Sequence, residues 1–96
     1  MKKLFLLIFG PPATQESVKA VVEVMPEVVI WRYDMPNAFY IISSSSAEQI
    51  AESYRAKRKD TGRFLVAEVD NNNTQGWLPD GTWHLINNLS LKPKED

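Results

Sequence analysis

An α+β sandwich is the fold that the sequence predicts, and three observations point to it. Apolar runs of strand length alternate with stretches of helical period in the order strand, helix, strand, strand, helix, strand. Each helical stretch opens on a capping residue and closes near a proline or a glycine. The chain has 96 residues and no cysteine, so its stability must come from one buried core, or from a core shared with a partner, without disulfide staples.

The elements follow in order. Lys3 to Phe9 reads as a central strand, apolar on both faces and ended by Gly10-Pro11-Pro12. Met1-Lys2-Lys3 in front of it gives the start the look of a secretion leader. The apolar run from Leu4 to Phe9 is six residues long, however, and crossing a bilayer takes about 20. A buried first strand is the expectation, and with it a cytoplasmic protein with no membrane partner. Thr14 is placed to cap a helix whose first turn holds Glu16, where the helix field favours an anion. Val18, Val21, Val22 and Met25 form its apolar stripe, and Pro26 ends it. Three of those four side chains are β-branched, so packing rather than propensity must hold this helix.

Val28 to Asp34 is the second strand. Val28, Ile30 and Arg32 fall on one face, and Val29, Trp31 and Tyr33 on the other. Met35-Pro36-Asn37 makes the turn into a third strand, Ala38 to Ser43. The serine run 44–46 offers two capping boxes, Ser45 with Glu48 and Ser46 with Gln49. The helix that follows buries Ala47, Ile50, Ala51 and Tyr54, turns Glu48, Glu52, Arg55 and Lys59 to water, and has Gly62 as its C-terminal cap. Arg63 to Val69 is the fourth strand. After the polar loop 71–76, Trp77-Leu78-Pro79 leads into a short helix or turn from Asp80 to Ile86, stopped by Asn87-Asn88. Leu89 to Leu91 is expected as a short edge strand, and Lys92 to Asp96 as a frayed tail.

The order β-α-β-β-α-β is that of the ferredoxin-like split βαβ arrangement, here with a short C-terminal helix or strand appendage. Residues 1–88 make this domain with its tryptophan-rich C-terminal segment, and residues 89–96 the edge strand and tail. Two right-handed crossovers put both helices on one face of the sheet and leave the other face open. Trp31, Tyr33 and Tyr40 on the strands, with Trp77 and Trp83 folding back from the C-terminal segment, are the candidate dimer or partner interface. Homodimerisation through the sheet is the leading expectation.

Charge gives one local feature. The chain has 11 basic and 12 acidic residues, for a formal charge of -1, which excludes a global attraction to nucleic acid or anionic lipid. Five of the basic residues, Arg55, Lys57, Arg58, Lys59 and Arg63, nevertheless crowd into nine positions. They are the candidate nucleic-acid contacts, of DNA or RNA, with a solvated helix end as the simpler explanation. An RNA-recognition module would need stacking aromatics on the central strands; Phe5, Phe9 and Tyr40 are loosely placed for that, and its characteristic basic-glycine-aromatic stretch is absent. His84, the only histidine, is expected to pack or to bond to backbone. Asp34 reads as a turn residue, and Glu68 as an edge-strand charge or a partner for Arg32. No cofactor motif, metal-ligand set or nucleophile with a base beside it is present in the pattern.

The segment Phe64-Leu65-Val66-Ala67-Glu68-Val69-Asp70, followed by Gly76-Trp77-Leu78-Pro79 and Trp83, resembles the small bacterial SinR-like proteins. Trp31-Arg32-Tyr33, Phe39-Tyr40-Ile41-Ile42 and Ser46-Ala47-Glu48-Gln49-Ile50 fit the middle of that pattern, so the resemblance spans most of residues 3 to 88. It implies a ferredoxin-like homodimer, related in fold to the CRISPR-associated adaptation protein and to VapD-type toxins. Some of those relatives are metal-dependent nucleases with an aspartate at the end of the first strand. Here that place holds Phe9-Gly10-Pro11-Pro12, and no carboxylate precedes Glu16. A hard divalent cation needs clustered oxygen ligands, so the departure argues against a nuclease. Three classes remain from the sequence: a non-enzymatic homodimer that touches nucleic acid, a metal-dependent endonuclease, and a protein-protein interaction module.

Overall fold

A computed structural model describes residues 1–93. The strands are β1 (Lys3–Phe9), β2 (Ile30–Met35), β3 (Ala38–Ser43) and β4 (Phe64–Val69), and the helices α1 (Gln15–Val22), α2 (Ala47–Lys57) and α3 (Asp80–Asn88). All neighbouring strands are antiparallel, in the order β2-β3-β1-β4. This is the ferredoxin-like βαββαβ arrangement with an extra C-terminal helix.

Both main helices start as their residues dictate. The Ser17 amide donates to Thr14 Oγ1 at 3.1 Å while the Thr14 amide donates to Ser17 Oγ at 2.8 Å, which closes a reciprocal cap on α1. Of the two serine boxes, Ser46 with Gln49 caps α2; the Ser45 amide instead donates to the buried Ser43 hydroxyl at 3.0 Å.

The helix ends differ from expectation. α1 stops at Val22, short of Pro26, although Met25 still enters the core. A residue followed by proline is pushed out of the helical region, and the chain leaves the helix before reaching it. α2 ends at Lys57, with Arg58 already extended, so Gly62 is not its cap. Gly62 is required by a close approach instead: a Cβ there would lie 2.9 Å from the Pro11 carbonyl oxygen. Residues 89–91 form no strand; Leu89 caps α3 in the left-handed region at φ 54°, its amide donating to the Leu85 carbonyl at 2.8 Å. Residues 94–96 of the expected tail lie outside the described residues.

One face of the sheet carries α1 and α2. Phe5, Leu7, Phe9, Phe39 and Ile41 meet Val18, Val22, Ile50 and Tyr54 there in the main core. Trp31 and Tyr33 belong to this face too. They stack with centroids 6.0 Å apart, lie against Phe39 at 5.9 and 5.1 Å, and Trp31 also takes the Lys19 ammonium over its ring. They are part of the packed helix side, which corrects the expectation that they stand with Tyr40 in one interface. Phe5 and Phe9 are buried under the helices as well, so the three aromatics of an RNA-stacking platform do not share a face.

Candidate functional site

The second face is organised by strand register. Ile30, Ile42, Leu4 and Val69 lie in one row, Arg32, Tyr40, Leu6 and Ala67 in the next, and Ala38, Ile8 and Leu65 in the third. Helix α3 covers the first two rows only. Leu85 and Ile86 pack on Leu4, Tyr40 and Ile42, with Leu78, Trp83 and Leu89 around them. Leu4 and Ile42 are consequently 2% and 0% exposed; in the third row Ala38 is still buried, whereas Ile8 is 40% and Leu65 58% exposed. Met35 and Trp77, at 41% and 98%, extend this uncovered end.

Between the uncovered row and α3 runs a groove of ≈ 410 Å³, floored by Leu6, Ile8, Ala38 and Tyr40 and walled by Met35, Thr74, Gly76, Leu78 and Trp83. None of its lining side chains is charged. Such a groove suits apolar matter, and its size is in the range, roughly 300–1,000 Å³, of sites that accept a small molecule or an inserted side chain.

A polar latch holds α3 in place. Arg32 Nε donates to Thr82 Oγ1 at 2.7 Å, Thr82 Oγ1 donates to Asp34 Oδ2 at 2.6 Å, and the Tyr40 hydroxyl donates to Asp34 Oδ1 at 3.1 Å. Gly81 lets the guanidinium lie along the first turn of α3, since a Cβ there would be 3.0 Å from Arg32 Nη1. Burial, then the Asp34 charge and its hydrogen bond, push the Tyr40 phenol up to about 12. Tyr40 is therefore a neutral donor at ordinary pH. At the other end of α3, Asn71 Nδ2 donates to the Ile86 carbonyl at 3.1 Å. Sequence reasoning did not find this latch: Arg32 and Asp34 alternate on one strand, but Thr82 is 48 residues beyond Asp34. The proposed Arg32–Glu68 pair does not form. The two residues sit on opposite edge strands and opposite faces, and Glu68 pairs with Lys3 at 3.5 Å. Asp34 does more than end a turn.

The basic cluster divides. Arg58 lies over the Phe64 ring at 4.5 Å and the Tyr54 ring at 5.8 Å, donates to the Gly62 carbonyl and pairs with Asp60 at 3.8 Å. Arg55 also rests over Phe64, at 5.6 Å. These two guanidiniums brace the crossing from α2 to β4. Lys57, Lys59 and Arg63 are exposed. Of the five candidate interface aromatics, Trp31 and Tyr33 are half-buried at the margin of the helix-covered core, Tyr40 and Trp83 line the groove, and Trp77 projects beside it. His84 is half-buried on α3. Among the described residues no group of three or more histidine or carboxylate side chains is placed to hold a metal ion, and no helix is long and apolar enough to cross a membrane.

The fold and this site define a ferredoxin-like α+β domain whose second sheet face is half-capped by a C-terminal helix. No family model, curated protein or solved structure matches the chain.

Proposed function

We propose that this protein is a non-enzymatic, homodimeric binding module that self-associates through the uncovered part of its sheet. The observation that carries the reading is the contiguous apolar end of that face, where Ile8, Met35 and Leu65 stand exposed beside an uncharged groove. Exposed apolar side chains gathered at one place support an interface there, where the same side chains scattered singly would not. A position beside the SinR-like proteins, suggested by Gly76 to Pro79 and Trp83, belongs to the same proposal and agrees with dimerisation.

Sedimentation velocity over a wide concentration range tests it, with an Ile8→Ser/Leu65→Ser double variant alongside. The expected result is a concentration-dependent dimer for the native chain and a monomer with an unchanged far-UV spectrum for the variant. A native chain that stays monomeric at high concentration would contradict the reading.

A second reading, phosphate contact by the dimer, is favoured by one observation: Lys57, Lys59 and Arg63 remain exposed near one another in the chain, at the junction of α2 and β4. Phosphate contacts weaken steeply with salt. Fluorescence anisotropy with labelled single- and double-stranded DNA and RNA at two salt concentrations, repeated with Lys57→Glu/Lys59→Glu, should show salt-sensitive binding that the variant loses. No binding to any probe would remove this reading and leave the protein-interaction module.

A further inference from the structure

We propose that the dimer is locked by exchange of Trp77: each copy seats its Trp77 indole in the apolar groove of the other. This rests on the sheet-face dimer proposed above and names the contact that completes it.

Two features within one patch carry the inference. The first is a knob without a hole. Trp77 is 98% exposed, on the segment between the polar loop and α3, although an indole is among the largest apolar groups a chain can present. The chain supports it firmly nonetheless: Leu78 beside it is anchored among Tyr40, Leu85 and Ile86, and Pro79 begins the helix. The second is a hole without a knob. The groove is uncharged, and it is lined by both neighbours of Trp77, Gly76 and Leu78, while the Trp77 side chain is not part of its wall. Trp77 instead borders a separate hollow on the far side of Leu78 and Met35, with Asp34 and Asp80. Its indole thus points away from the groove of its own copy.

A twofold interface must be self-complementary, since the same patch meets itself. A projecting indole on the rim of an apolar groove satisfies that condition: an axis beside the rim carries each Trp77 into the facing groove, with one contact generating the other. The groove brings no charge that would have to be desolvated; on the indole's side, Asp34 and Asp80 border the hollow beyond Trp77 and not the groove that receives it. The indoles supply the centre of such a contact, not all of its area. Two indoles account for roughly 300–500 Å² of buried surface at about 150–250 Å² each, and Ile8, Met35 and Leu65 around them extend the contact towards the roughly 1,200 Å² of a small specific interface. Centrally placed tryptophans ringed by apolar neighbours are the usual anchors of such interfaces.

The test uses the full chain labelled with 5-fluorotryptophan, which has three fluorine signals, from Trp31, Trp77 and Trp83. The Trp77 signal is assigned by its absence in Trp77→Phe. Fluorine spectra in light and heavy water are recorded across a dilution series, with sedimentation equilibrium on the same samples and on Trp77→Ala. Because Trp77 is outside the core, Trp77→Ala should keep the native melting curve at concentrations where the native chain is monomeric. The expected result is a Trp77 signal shielded from solvent in the dimer and exposed on dilution. The Trp77→Ala dimer should be weaker by about 10- to 100-fold. A native dimer in which Trp77 stays solvent-exposed, or one that Trp77→Ala does not weaken, would overturn the exchange while leaving the sheet-face dimer standing. A Trp77 signal that stays shielded in samples that sediment as monomer would place the indole in its own groove and overturn it too. A chain monomeric throughout would overturn both proposals.

Discussion

Phe5, Leu7 and Phe39 point to one side of the sheet and Leu4, Leu6 and Ile8 to the other, yet the two sides are covered by different means. On the first, two helices with reciprocal caps bring a continuous apolar stripe, and the core is closed by Val18, Val22, Ile50 and Tyr54 with stacked aromatics at its margin. On the second, one nine-residue helix covers two rows of three, and its seat combines Leu85 and Ile86 with a chain of hydrogen bonds through Thr82, Asp34, Arg32 and Tyr40. Apolar burial is non-directional and tolerates some adjustment. A hydrogen-bonded latch fixes one placement and loses much when a single partner is removed. The helix side therefore sets stability, and the other side fixes where α3 sits and how much apolar strand surface it leaves uncovered.

Substitutions should separate the two sides by size of effect. Phe39→Ala, in the middle of the helix-covered core, is expected to cost about 3–5 kcal/mol, enough to lower the urea midpoint severely or unfold the domain. If that loss were no larger than the losses on the other face, the division of labour would be wrong. Thr82→Val keeps the shape of the side chain but leaves Arg32 Nε and Asp34 Oδ2 without their partner, at a cost of about 1–3 kcal/mol. Amide exchange should then quicken in α3 while the amides of α1 and α2 keep their protection. Equal acceleration in all three helices would mean that α3 is not a separately held element.

The latch also has a pH signature. The folded state holds the Tyr40 phenol at about 12 against an ordinary value of 10.0. The folded chain therefore binds the phenolic proton more tightly than the unfolded chain does. The stability this contributes is fully present below pH 10 and is lost as pH rises from 10 towards 12. Tyr40→Phe should flatten that part of the stability profile in urea titrations, and a difference between native and variant that does not change with pH would argue against the burial and the Asp34 carboxylate that together raise the phenol. The smallest effects belong to the uncovered row and the free cations. Lys57→Glu/Lys59→Glu should change monomer stability by only about 0.5 kcal/mol per substitution, because both are exposed positions away from caps and latches. In Ile8→Ser/Leu65→Ser the Ile8 change, on a central strand and 40% exposed, should cost about 1 kcal/mol and the Leu65 change less.

The same contrast explains what could be read from the sequence. The helix-covered side is made of local signals: Thr14 and Ser46 as caps, valine and isoleucine at helical spacing, and a first strand apolar on both faces. Those signals produced the element order and thus the fold. Strand alternation also separated Arg32 from Trp31 and Tyr33 correctly, but it could not say which of the two faces the helices would take. The second side is made of distant meetings. Nothing near Asp34 announces Thr82, and the extent of the groove depends on how far α3 reaches across the strands. The basic cluster was visible as a run of charge, but the use of Arg55 and Arg58 as covers for Phe64 depends on the chain turning back at Gly62.

Methyl NMR across a dilution series would show whether one copy meets another at the uncovered end of the sheet, as proposed. The methyl signals of Ile8, Met35 and Leu65 should move with concentration, together, along one binding curve, while those of Val18, Val22 and Ile50 under the helices stay fixed. Signals that do not move up to millimolar concentration, or that move on the helix side instead, would contradict it.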